Sequence, residues 1–212
     1  MKNSLLAIVM ALSVFSMMAQ EETILVNYRG ASPTISDFAK AYLSSIPASS
    51  EVDECDQEGL YMYDAMKRAL DRENRGLPMQ DNETLIIDSK NGYMLYEFHH
   101  DDEEVTRIEM CYWNMAGGKQ KLFACVRQWF DNGIYRSGQY DNRDFYRYNN
   151  ATKTMRYCSP EDIGINEAYQ SDNNYISFCL PQTGKDIIVK WWNDNGMTKE
   201  KTLKWNGQKF SF

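Results

Sequence analysis

The aromatic residues are those of this chain best suited to bind a ligand at the protein surface. They make up 13% of the sequence, with five tryptophans and fourteen tyrosines. A rigid ring offers a large contact area at low entropic cost, so exposed rings on a sheet bind sugars, peptides or protein partners. Aromatic residues are also favoured in strands, where they fill the core. We predict a ligand-binding surface from Trp129, Tyr146, Tyr148, Trp191 and Trp192, and expect one of the adjacent pair Trp191-Trp192 to face the core.

The two histidines stand side by side, His99-His100, before an acidic run that ends at Glu104. Imidazole and carboxylate groups together are metal ligands. Adjacent residues on a strand point to opposite faces, however, so the two rings do not converge easily on one ion. The pattern therefore favours a polar hairpin turn over a metal site.

No catalytic motif stands out in the sequence. A serine or cysteine nucleophile would need His99 or His100 as its base, and no G-x-S-x-G occurs. Runs of Asp, Asn and Gly lack the closing glutamate of a calcium loop and have the composition of tight turns. Carboxylates are abundant, but spacing in the sequence singles out no acid pair of a hydrolase. We predict no catalytic residue, cofactor or metal.

The N-terminus has the pattern of an export signal. Lys2 is followed by an apolar run from Leu5 to Met18, and Ala19 precedes polar residues. The run has the length of a signal-peptide core and is shorter than the ~20 residues of a membrane span. We expect residues 1–19 to be removed after Ala19, which leaves a secreted or periplasmic chain with no membrane span.

The charge balance narrows the choice of partner. The formal net charge is −7, and loss of Lys2 with the signal changes it to −8. Nucleic-acid binding needs clustered Lys and Arg side chains that contact phosphates. The acidic balance therefore argues against a nucleic-acid partner and leaves a glycan, a peptide or a protein.

Helical periodicity comes first along the chain, and strand periodicity follows. Apolar residues recur at helical spacing over 35–46, after an N-cap at Thr34, and again over 59–74, with Gly76 at the C-cap position. From Thr84 onward, segments in which apolar and polar residues alternate are separated by turn residues, which is the pattern of strands. Strands joined by such short connections pair antiparallel. The sequence predicts an α+β fold: a meandering antiparallel sheet of about nine or ten strands with two N-terminal helices packed on one face or end, in a single domain over 20–212. One predicted strand, 23–28, precedes the helices. The strands predicted after the helices are 84–89, 92–98, 105–113, 121–130, 145–148, 154–158, 175–180, 186–192, 202–205 and 208–212.

The positions of two cysteines allow a specific prediction of how two strands pair. The chain has five cysteines, so at least one is unpaired within it. Cys111 and Cys125 lie on two predicted strands joined by Gly117-Gly118. A three-residue loop sets them directly opposite each other, whereas a two-residue loop sets Cys111 against Ala124. We predict the first register, which puts both cysteines on one sheet face and permits a disulfide bond.

Three segments give the chain a resemblance to known proteins: Ala19-Gln20-Glu21, the aromatic run 144–149 and the segment 204–210. The chain resembles the small exported proteins of unknown function of Gram-negative gut anaerobes, and that resemblance carries over no functional residue. The sequence thus predicts a secreted or periplasmic non-catalytic binding module for a glycan, peptide or protein. The alternative is a secreted hydrolase with an unrecognised carboxylate-based site.

Overall fold

Two helices and two antiparallel sheets form the structure, a computed structural model that describes residues 23–51, 54–100, 103–138, 141–165 and 175–212. The predicted signal peptide, residues 1–19, lies outside these ranges. The helices are α1 (Ile35–Ser45) and α2 (Glu54–Asn74). The strands are β1 (Thr23–Leu25), β2 (Glu83–Asp88), β3 (Tyr93–His99), β4 (Glu104–Asn114), β5 (Gln120–Asp131), β6 (Ile134–Arg136), β7 (Asn142–Asn149), β8 (Thr154–Tyr157), β9 (Tyr175–Cys179), β10 (Ile187–Asn193), β11 (Gly196–Trp205) and β12 (Phe210–Ser211).

The ends of the helices follow local rules. Thr34 caps α1 in a capping box, in which its side chain accepts from the Asp37 backbone and the Asp37 side chain accepts from the Thr34 backbone. At the end of α2, Gly76 has φ +65° and the Leu77 N–H donates to the Arg72 carbonyl, as in a Schellman motif. These two caps are as predicted. Helix α2 begins at Glu54, however, five residues before the predicted start at 59.

The predicted α+β class with antiparallel strands is confirmed. Eight strands form a large sheet in the order β1-β8-β7-β5-β4-β3-β2, with β6 paired to β5 beside this path. Strands β12-β11-β10-β9 form a second, smaller sheet. The alternating pattern predicted neither the division into two sheets nor the short strand β6.

The large sheet is covered on both faces. On β4, Ile108 and Met110 pack in a cluster with the buried residues of α1 and α2. The neighbours Cys111 and Trp113 point the other way and pack with the small sheet. The described layers therefore run in the order helices, large sheet, small sheet, with one apolar cluster in each gap.

The predicted pairing of Cys111 with Cys125 is wrong. Cys111 lies opposite Ala124, and Cys125 lies opposite Met110. The two strands are joined by an even-numbered loop in which Gly117 and Gly118 both have positive φ, a conformation open to glycine. A shift of one residue exchanges the faces of a strand. Cys125 therefore packs under the helices, Cys111 packs between the sheets, and both thiols are free.

Candidate functional site

A cleft of about 370 Å³ opens on the helix-facing side of the large sheet, beside the first half of α2. Phe123 and Cys125 of β5 pack against the helices, so Arg127 and Trp129, further along the same strand by even steps, face the same side. The ends of β3 and β4 and the connection between β6 and β7 complete the walls. The lining residues are Tyr61, Met62, His100, Glu104, Thr106, Arg127, Gln128, Trp129, Gly138 and Asp141.

Trp129 forms the aromatic part of the floor. It pairs across β4 and β5 with Thr106, which in turn pairs with Phe98 of β3, so these three residues form a row on one sheet face. Trp129 is half-buried. With the residues that the structure describes, its indole makes no hydrogen bond and no ring stack. Of the five aromatic residues predicted to bind a ligand, this is the one that lines the cleft.

His100 lies at the mouth of the cleft, directly after β3. Its Nε2 atom shares a hydrogen bond of 2.9 Å with the Thr106 hydroxyl, and its ring meets the edge of Phe98 at 4.8 Å between centroids. His99 is exposed and does not line the cleft. Within the described residues, no group of three or more His, Cys, Asp or Glu side chains is arranged to hold a metal ion.

Two carboxylates of the described part of the chain line the cleft. Asp141 accepts hydrogen bonds from the Tyr135 hydroxyl at 2.5 Å and from the Gly138 N–H at 3.1 Å. Burial raises the pKa of Asp141 even though these two donors oppose the effect. Glu104 is half-buried and its carboxylate has no ion pair or hydrogen bond with any residue in the described ranges. Glu104 thus offers a carboxylate that the fold itself does not use.

Arg127 is the one lysine or arginine among the described residues that line the cleft. Its guanidinium donates to the Gly59 carbonyl of α2, and its Cζ atom lies over the ring of Tyr63 at 4.8 Å. The residue is only 7% exposed. Arg127 therefore fastens the start of α2 to the sheet, and its charge is directed to the protein.

The other predicted binding residues lie in packing contacts. Trp191 is 7% exposed in the cluster between the sheets, and Tyr148 is fully buried against Phe38. Tyr146 is half-buried against Tyr42. Their burial leaves Trp129 as the predicted residue on which a binding site in this cleft depends.

Trp192 lies behind the cleft. Its indole N–H donates to the Ser177 hydroxyl at 2.7 Å, and its ring packs against Tyr135 at 6.4 Å. Tyr135 is the residue that holds Asp141. Trp192 therefore supports the cleft wall through one intervening side chain, and adjacent Trp191 faces the core as expected.

Sequence reasoning did not select Tyr61, Glu104 or Asp141. They come from a helix, a strand end and a connection that are far apart in the chain, and no motif joins them. A signal for Asp141 was present only as part of an Asp-Asn turn pattern, which indicates a turn rather than a site. Their convergence is a property of the tertiary fold.

Comparison with known proteins finds no matching family, no significant match among curated proteins and none among solved structures. Neither helix in the described ranges has the length and apolarity needed to cross a membrane.

Proposed function

We propose that this protein is an exported, non-catalytic binding module that takes its ligand in the cleft around Trp129. The observation that carries the proposal is a half-buried tryptophan without a stacking or hydrogen-bonding partner among the described residues, in a cleft of about 370 Å³. Ligand sites of proteins are concave, mostly apolar and roughly 300–1,000 Å³ in volume. The cleft suits a small ligand or one end group of a glycan, a peptide or a protein.

A fluorescence titration tests the binding site. We would compare the wild type with Trp129→Phe and Trp192→Phe, using soluble oligosaccharides and short peptides as probes. A ligand in the cleft should change tryptophan emission in the wild type and in Trp192→Phe, because Trp192 lies behind the cleft and phenylalanine keeps an aromatic ring to pack against Tyr135. The change should be lost in Trp129→Phe. Equal responses from both variants would place binding elsewhere and refute the proposal.

The location of the protein is the second part of the proposal. A secreted or periplasmic chain is supported by the positively charged start, the short apolar run and Ala19. Mass spectrometry of the protein from its native host should find a new N-terminus near Gln20. Recovery of an intact Met1 from the envelope or the medium would contradict export by cleavage.

A carboxylate-based hydrolase is the second candidate function. It is favoured by the pKa of Asp141, which burial raises, because a raised pKa suits a carboxyl group to general acid catalysis, and the carboxylate of Glu104 lines the same cleft. A hydrolase would convert its bound ligand, and Asp141→Asn or Glu104→Gln would bind without conversion. Product analysis after incubation with each ligand found by fluorescence separates the two functions, since a binding module returns the ligand unchanged.

A further inference from the structure

We infer that the ligand group held in the cleft is an organic cation, an ammonium or guanidinium group on an apolar stem. This inference rests on the proposed function, since it assigns the chemistry of the group that enters the same cleft. Three observations carry it: the charges of the lining residues, the aromatic ring on the floor and the apolar wall beside α2.

The charges of the lining residues favour a cation. Among the lining residues that the structure describes, Glu104 and Asp141 supply two carboxylates against the single guanidinium of Arg127, which is bound to the Gly59 carbonyl and stacked over Tyr63. An anionic ligand would be repelled by Glu104, and the guanidinium of Arg127 is already engaged by the protein. An ammonium ion placed beside Glu104 gains an attraction that the partly enclosed site strengthens relative to bulk water.

The aromatic floor supports the same assignment. A cation is attracted to the face of an aromatic ring within about 6 Å, and tryptophan is the strongest of the three rings. The ring of Tyr61 already carries Arg68 at 5.6 Å, so among the described residues Trp129 is the ring of the cleft left for a ligand cation. Trp129 and Glu104 lie on neighbouring strands, and their side chains face the same side of the sheet.

The wall beside α2 accounts for the stem. Met62 lines the cleft from the helix, and Thr106, which pairs with Trp129, lines it from the sheet. A methionine side chain is flexible and adapts to an aliphatic chain. A cation with three to five methylene groups therefore buries its stem against these residues while its head group reaches Glu104.

Calorimetry with matched probes tests the inference. The probes are n-pentylammonium and its neutral analogue 1-pentanol, then the peptides acetyl-Gly-Lys-Gly-amide and acetyl-Gly-norleucine-Gly-amide. We expect each cationic probe to bind at least about tenfold more tightly than its neutral analogue, which corresponds to one close charge pair. Tighter binding of the lysine peptide than of the free amine would identify the source as a peptide side chain, and the reverse order would identify a small amine.

Three variants locate the charge effect. Glu104→Gln should weaken the cationic probes roughly tenfold and leave the neutral probes unchanged, and Trp129→Ala should weaken both kinds. The control is Glu73→Gln, which removes the same charge from an exposed site at the other end of α2, about 18 Å along the helix from Tyr61. Cationic binding should be nearly unchanged in this control.

The outcomes separate the two proposals. Binding of neutral probes or oligosaccharides that depends on Trp129 but not on Glu104 would overturn the cation and leave the binding cleft intact. Binding of cations that Glu104→Gln and Glu73→Gln weaken equally would also overturn it, because the effect would then come from net charge alone. A cleft that binds none of the oligosaccharides, peptides or amines would refute the proposed function itself.

Discussion

Glu109 is a carboxylic acid buried in the apolar layer between the two sheets. Its side chain is 5% exposed, and its Oε1 atom accepts a hydrogen bond of 2.7 Å from the hydroxyl of Tyr93. Burial raises the pKa of Glu109, and the same burial together with the nearby carboxylate raises the pKa of Tyr93. Burial disfavours the charged form of a carboxyl group, so Glu109 holds its proton more tightly than an exposed glutamate does.

Stability should therefore depend on the proton of Glu109. Its pKa is raised in the folded protein above the ordinary value of ~4.3 in the unfolded chain. The folded state then binds the proton more tightly, so this contribution to stability is complete below the unfolded pKa and is lost as the pH rises through the folded pKa. Glu109→Gln removes the ionisation and should raise the free energy of unfolding at neutral pH by roughly 1–3 kcal/mol, the scale of an imperfectly paired buried polar group.

Urea denaturation at pH 4 and pH 7.5 measures this effect. The gain in Glu109→Gln should be larger at pH 7.5 than at pH 4, and Glu73→Gln, an exposed match, should show no such difference. A loss of stability in Glu109→Gln at neutral pH would show that the ionised form is the one that the fold prefers.

The aromatic residues show what sequence reveals about single positions. Alternation correctly groups residues by sheet face, as with Ile108 and Met110 on one side and Cys111 on the other. Alternation separates buried from exposed residues when one face of a sheet is wet. Here both faces of the large sheet are covered, so Tyr148 in the core and Trp129 in the cleft have the same local pattern. Which ring reaches solvent depends on where α2 stops covering the sheet.

At the level of elements, the best predictions come from interactions within a few residues. The N-cap at Thr34 and the glycine after α2 involve neighbours in the chain, and the sequence predicts both. The predicted start of α2 is five residues too late, because the acidic residues of its first turn and the serines before them have the composition of a linker. The register of β4 and β5 was misplaced because it depends on the conformation of two glycines, which both loop lengths allow.

Two glycines with positive φ allow the cost of backbone strain to be distinguished from the cost of a steric clash. Gly164 ends the short helix Pro160–Ile163 with φ +80°, and a Cβ atom added there would collide with the carbonyl oxygen of Phe210 in β12. Gly184 has nearly the same φ, +86°, and a Cβ atom there would meet nothing within 4 Å. Gly164 therefore needs its hydrogen for close approach as well as for conformation.

The matched substitutions Gly164→Ala and Gly184→Ala test this difference. Gly184→Ala should cost about 1–2 kcal/mol, the strain of alanine in the left-handed region. Gly164→Ala should cost roughly 2–5 kcal/mol, because displacement of β12 adds the penalty of overpacking. Thermal unfolding of both variants measures the difference, and equal losses would mean that β12 moves aside freely.

At the scale of the whole molecule, the layered arrangement was only partly accessible from the sequence. Hairpin turns identify strands that are neighbours, so the α+β class and the antiparallel pairing followed from turn residues. They do not say which hairpins share a sheet. The break between β8 and β9 assigns the last four strands to a second sheet, and the contacts that hold this sheet to the first come from side chains far apart in sequence.

Gln128 makes one such contact between the two sheets. Its side-chain Nε2 donates to the Phe178 carbonyl at 2.8 Å, and its Oε1 accepts from the Phe178 N–H at 2.7 Å. Phe178 lies on β9, the edge strand of the small sheet, and Gln128 is 1% exposed. One amide of the large sheet thus satisfies both backbone groups at a buried edge of the small sheet.

Gln128→Leu should therefore loosen the docking of the two sheets. Leucine keeps a similar volume but leaves the N–H and carbonyl of Phe178 buried without partners, at roughly 1–3 kcal/mol for each group. We expect the free energy of unfolding to fall by about 2–5 kcal/mol and the Phe178 amide to lose protection from hydrogen exchange. Gln120→Leu, the same substitution at the exposed start of the same strand, should change stability by less than about 0.5 kcal/mol. If Gln128→Leu were equally neutral, apolar packing alone would hold the small sheet in place, and the paired amide would have no part in joining the layers.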